Sequence, residues 1–83
     1  MFFNNGSTKE QAIIINAPND KSGVDVEYEY LESTYGEQNV HWRLYEQKLF
    51  IEDDKYYDIL VIELRNNQLL TFWFDITSFY GKE

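Results

Sequence analysis

The sequence has no cysteine, a single histidine, a single proline and only four glycines. Without cysteine, a disulfide framework and thiolate metal sites are both excluded, which fits a reducing compartment. His41 leaves no second histidine or cysteine to complete a transition-metal set, and Ser7, Ser22, Ser33 and Ser78 lack a nucleophile-elbow context, so a Ser-His-Asp triad is unsupported. Gly6, Gly23, Gly36 and Gly81 are scattered singly, so no glycine-rich loop is present to cradle a phosphate. Basic residues are scarce, seven Lys and Arg against fifteen Asp and Glu, for a net charge of −8. Nucleic acid and anionic membrane surfaces both demand concentrated positive charge, so both are disfavoured as partners. Runs such as Ile13-Ile14-Ile15 and Ile59-Leu60-Val61-Ile62 fall far short of the roughly 20 apolar residues of a membrane-spanning helix. The opening Met-Phe-Phe-Asn-Asn-Gly lacks the basic and apolar regions of a signal peptide, so a cytoplasmic location is expected.

Aromatic residues, by contrast, are plentiful: six Phe, seven Tyr and two Trp in 83 residues. Each ring buries on the order of 150–250 Å², which helps a chain this short to assemble one core. A single domain over residues 1–83 is expected, with 1–10 loosely held. The acids are unevenly placed. Ten of the fifteen lie between Asp25 and Asp58, with only Arg43, Lys48 and Lys55 among them. Asp25, Glu27, Glu29, Glu32, Glu52, Asp53 and Asp54 are therefore the candidate acidic surface. Solubility of an aromatic-rich chain explains such a surface, and so does a basic protein partner.

Ala12–Ala17 is a short β-branched run closed by Pro18-Asn19-Asp20, which predicts a first strand. From Val24 to Tyr30 the residues alternate as in a strand, yet Val24, Tyr28, Leu31 and Tyr35 share one face of a helix. Ser22 suits an N-cap and Gly36 the left-handed residue past a C-terminus, so a helix over about Gly23–Tyr35 is predicted. Val40–Ile51, Tyr56–Leu64 and Leu69–Thr77 then read as strands, parted by the polar turns Glu52–Lys55 and Arg65–Gln68. The expected fold class is α+β: β-α-β-β-β, a four-stranded, mostly antiparallel sheet with one helix on one face.

Taking Asn66-Asn67 as a two-residue loop pairs Leu64 with Leu69, Val61 with Phe72, Ile59 with Phe74 and Tyr57 with Ile76. That register makes both hairpin faces apolar. One helix covers only one of them, so Leu60, Ile62, Leu64, Leu69 and Trp73 become a candidate interface. The cover could instead come from Phe2 and Phe3, or from Phe79 and Tyr80. The same register sets Asp58 opposite Asp75, a repelling pair that must be solvated, share a proton or hold a cation, unless Asp75 caps the turn at Thr77-Ser78.

His41, beside Trp42, is the one side chain suited to acid–base work near neutrality, and the ordinary surface histidine is the competing explanation. Glu52-Asp53-Asp54 lacks the spaced acids and central glycine of a calcium loop and reads as a solvated turn. The tyrosines and tryptophans could stack bases, but they stand among acids rather than bases. No catalytic residue, metal or cofactor is assigned. The expectation is a non-enzymatic protein–protein interaction module, either self-associating as a homodimer or binding a basic partner as an acidic inhibitor or immunity-type protein. The alternative is a small-ligand or enzymatic pocket of Tyr, Trp and His41.

Overall fold

The computed structural model describes residues 4–81 of the chain. Its elements follow the order β1 (Ile13–Ile14), α1 (Asp20–Tyr35), β2 (Trp42–Glu52), β3 (Lys55–Leu64) and β4 (Leu69–Asp75). The four strands form one sheet in the order β1-β4-β3-β2, so β1 and β2 are its edges. β1 runs parallel to β4, and the other neighbours are antiparallel. The α+β class and the β-α-β-β-β arrangement expected from the sequence are thus those of the fold.

The helix starts about one turn earlier than the Ser22 signal suggests. Asn19, extended at φ −158°, accepts from the Ser22 N–H at 3.0 Å and is the N-cap. At the far end Gly36, at φ 105°, donates its N–H to the Glu32 carbonyl at 3.0 Å, as its place past the helix implied. The buried stripe is Gly23, Glu27 and Leu31, spaced by four, rather than one centred on Val24. Val24 is exposed. Gly23 is buried because Phe79 packs onto it: a Cβ there would lie 2.2 Å from the ring. Past the stripe, Tyr28 stacks on Trp42, while Tyr30 and Tyr35 meet Phe72 edge-on.

The β3–β4 connection is a three-residue loop. Asn67 donates its N–H to the Leu64 carbonyl and takes φ 70°, and the Leu64 N–H reaches the Gln68 carbonyl at 2.9 Å. A type I turn followed by a left-handed residue satisfies the strands' twist as well as a two-residue loop does. The register therefore moves by one: Leu60 faces Phe72, Ile59 faces Trp73 and Asp58 faces Phe74. A one-residue slip exchanges the faces of one strand relative to the other. Leu60, Ile62, Phe72 and Phe74 form the helix-covered core with Ile13, Ile15, Leu31 and Trp42. Ile59 and Val61, expected under the helix, lie half-buried on the other face with Trp73.

That slip breaks up the expected interface. Leu60 and Ile62 are fully enclosed in the core, Leu64 and Trp73 are half-buried on opposite faces, and only Leu69 is exposed. Phe79 is buried in the core, the alternative cover is partly supplied there, and Phe2 and Phe3 lie outside the described residues. Asp75 faces Tyr57 rather than Asp58, and its carboxylate accepts from the Thr77 N–H at 3.0 Å, capping the turn. β2 runs past the covered part of the sheet after a bulge between Leu44 and Glu46, leaving Leu49, Phe50 and Ile51 exposed. Its hairpin turns through Asp53 and Asp54, both at positive φ.

Candidate functional site: a buried carboxyl pair beneath an open cleft

Among the described residues, two acids lie inside the protein. Glu27, on the buried stripe of α1, is 1% exposed and Asp58, on the core face of β3, is 7% exposed. Glu27 is thereby removed from the candidate acidic surface, whereas Asp25, Glu29, Glu32, Glu52, Asp53 and Asp54 are exposed. The helix fixes Glu27 four residues after Gly23 and four before Leu31, so its side chain has to enter the interior. The register fixes Asp58: facing Phe74, it shares the side of the sheet on which α1 packs.

Burial of two carboxyls side by side favours one proton held between them. Desolvation, then the hydrogen bond and charge of Asp58, push the Glu27 carboxyl up to about 10. Glu27 is accordingly the protonated partner and donates to the Asp58 carboxylate, while its Oε1 is buried without a hydrogen-bond partner. Burial, with these two acids, also raises the Tyr28 phenol. From the outer strand, the exposed Gln47 side chain donates its Nε2 to both oxygens of Asp58, at 3.1 and 3.2 Å.

The pair floors a cleft of about 400 Å³ between the first half of α1, β2 and the segment after β4. Val24, Leu49 and Tyr80 are exposed apolar side chains on its wall, with Asp20 and Lys48 as its charged rim. Chemically the arrangement can donate a proton, accept one, or neutralise a cation that enters from the cleft.

His41 takes no part. It is exposed in the turn before β2, its Nδ1 accepts from the Glu37 N–H at 2.9 Å, and it lines neither this cleft nor the 260 Å³ depression beside Trp42 and Arg43. Among the described residues, His41 is thus not among those that line either of these two cavities. Among the described residues, no group of three or more His, Asp or Glu side chains could hold a metal, and no helix is long and apolar enough to cross a membrane.

Sequence reasoning missed this pair. Glu27 reads as a solvated helix residue, and the two-residue loop sent Asp58 to the hairpin end. One signal was present: Asp58 interrupts the apolar stretch of β3 on the side shared by Leu60 and Ile62. Comparison of the chain with protein-family models, with curated proteins and with solved structures finds no match in any of the three.

Proposed function

We propose that the chain is a non-enzymatic interaction module that docks a basic protein partner over the cleft between α1 and the β2–β3 hairpin. The observation that carries this reading is the joining of exposed Val24, Leu49 and Tyr80 to a buried, incompletely bonded carboxyl pair. Apolar contact area supplies affinity in an interface, and desolvated charge at its centre supplies specificity. A buried carboxyl with an unpartnered oxygen costs stability, and such violations of local consistency concentrate at functional sites. The exposed acids Asp25, Glu29, Glu32, Glu52, Asp53 and Asp54 add a field that speeds the approach of a basic protein. An acidic inhibitor or immunity-type protein would use its surface in this way.

The test is capture of basic proteins by the immobilised chain at rising salt. Wild type should retain a basic protein at low ionic strength and release it as salt rises. Leu49→Ser, and a triple variant Asp25→Asn, Glu29→Gln, Glu32→Gln, should both weaken that retention. Retention unchanged by salt and by all four substitutions counts against the reading.

A homodimer is the second reading, favoured by the opposite face of the sheet. There Phe50, Tyr57 and Trp73 cluster with ring centroids 5.7 to 6.2 Å apart, flanked by exposed Ile14 and Leu69. A symmetric dimer would bury that surface. Sedimentation equilibrium at high micromolar concentration decides: a strict monomer removes it.

A further inference from the structure

We propose that the Glu27–Asp58 cleft is a receptor for one guanidinium group, the head of an arginine side chain presented by the partner. The inference rests on the docking reading and names its central contact. Gln47 supplies the geometric argument. Its amide, on an exposed edge strand, reaches both Asp58 oxygens through one nitrogen, with two long bonds. That is the position from which a bidentate guanidinium would address the same carboxylate, with shorter, charge-assisted bonds. Lining the same cleft, Glu27 has its Oε1 enclosed and without a partner, an acceptor that Gln47 does not serve. The wall fits the remainder of an arginine: Leu49, Val24 and Tyr80 offer apolar surface to a three-carbon stem. A guanidinium is more weakly hydrated than an ammonium and is planar, so it enters a part-buried carboxyl site at lower cost.

Entry of the cation has a consequence for the shared proton. A positive charge seated beside the carboxyl pair favours the ionised form of Glu27, so its proton leaves to solvent as the guanidinium binds. The other charged or titratable groups lining the cleft are Lys48 on β2, Asp20 at the start of α1 and Tyr80 after β4; Tyr28 borders the pair from the helix. Lys48 has its ammonium 3.6 Å from Glu46, and Asp20 accepts from the Gly81 N–H at 3.2 Å. Glu27 is therefore the group in the cleft whose protonation should be coupled to the cation.

The probe is N-acetyl-arginine methylamide, titrated into the full chain by calorimetry in two buffers of different ionisation heat, with amide NMR spectra recorded alongside. One saturable site is expected, with release of close to one proton per site at pH 7 and shifts at the Gln47 side-chain amide. The citrulline analogue, neutral but of the same shape, should bind at least tenfold more weakly. Asp58→Asn should weaken the arginine probe at least tenfold, and Glu27→Gln should abolish the proton release. Gln47→Ala, a change at an exposed position, should tighten binding severalfold by removing the competing donor, a gain that a purely structural Gln47 would not give. Equal binding of the citrulline analogue, shifts confined to Asp53 and Asp54, or no saturable site in the folded wild type and Gln47→Ala chains would each overturn the assignment. If a folded Asp58→Asn chain still retains basic proteins as wild type does, the cleft assignment fails while the docking reading stands. If the probe binds as described but no basic protein is retained, the docking reading fails and the guanidinium site stands.

Discussion

The two halves of α1 cover very different interiors. Under its C-terminal half the packing is closed: Tyr28 lies parallel to Trp42 at 6.3 Å, Tyr30 and Tyr35 meet Phe72, and the Trp42 Nε1 donates to the Gly36 carbonyl at 2.7 Å. Under its N-terminal half, beyond the contact of Phe79 with Gly23, the helix sets its own Glu27 beside Asp58, with one oxygen lacking a partner and a cleft open to solvent. The first region obeys the rule that buried polar groups are satisfied, and the second departs from it. The difference separates a closed, fully bonded part of the interior from the part on which the proposed docking rests.

Substitutions at the two ends should behave oppositely. Trp42→Ala removes a stacked ring and leaves the Gly36 carbonyl unserved, so it should lower unfolding free energy by about 3–5 kcal/mol in urea denaturation. Glu27→Gln should do the reverse. The carboxyl titrates near its ordinary value of 4.5 in the unfolded chain but only at about 10 in the fold. Between those values the folded chain holds a proton that the unfolded chain has released, so stability falls as pH rises from 4.5 towards 10. The contribution of Glu27 is fully favourable below pH 4.5 and lost progressively above it. At pH 7 the loss amounts to about 3 kcal/mol, and Glu27→Gln should recover about 2–3 kcal/mol of it there and almost none near pH 4. A Glu27→Gln chain less stable than wild type at pH 7 would erase the contrast between the two halves.

Smaller effects sharpen the same contrast. Trp42→Phe keeps a ring but loses the indole N–H, and should cost about 1–2 kcal/mol, read as a shifted urea midpoint with unchanged slope. Leu49→Ser, on the cleft wall, should alter stability by less than about 0.5 kcal/mol while weakening retention of basic proteins. A large destabilisation there would assign Leu49 to the fold rather than to the docking surface.

The order of elements was legible because each carries its own punctuation: Pro18-Asn19-Asp20 before the helix, Gly36 after it, and polar turns between the strands. The helix starts earlier because Asn19 and Ser22 are both good caps; Asn19 serves as the cap here, and Phe79 packs on Gly23 within the added turn. The hairpin register was not legible. Arg65-Asn66-Asn67-Gln68 suits a loop of two residues or of three, since asparagine tolerates positive φ at either place. That single residue decided which side of β3 is core. It returned Leu60 and Ile62 to the interior and carried Asp58 to Glu27. The carboxyl pair was hidden for a more general reason. An acid on an amphipathic helix is read as solvent-facing, and its burial is a tertiary fact set by the neighbours of Gly23 and Leu31.

The most direct measurement follows the side-chain carbon of Glu27 by NMR as pH is varied, with the carboxyl labelled with carbon-13. A resonance that stays in its protonated position through neutrality and moves only towards pH 10 is the predicted result. A midpoint near 4.5, the value of an ordinary exposed glutamate, would contradict it.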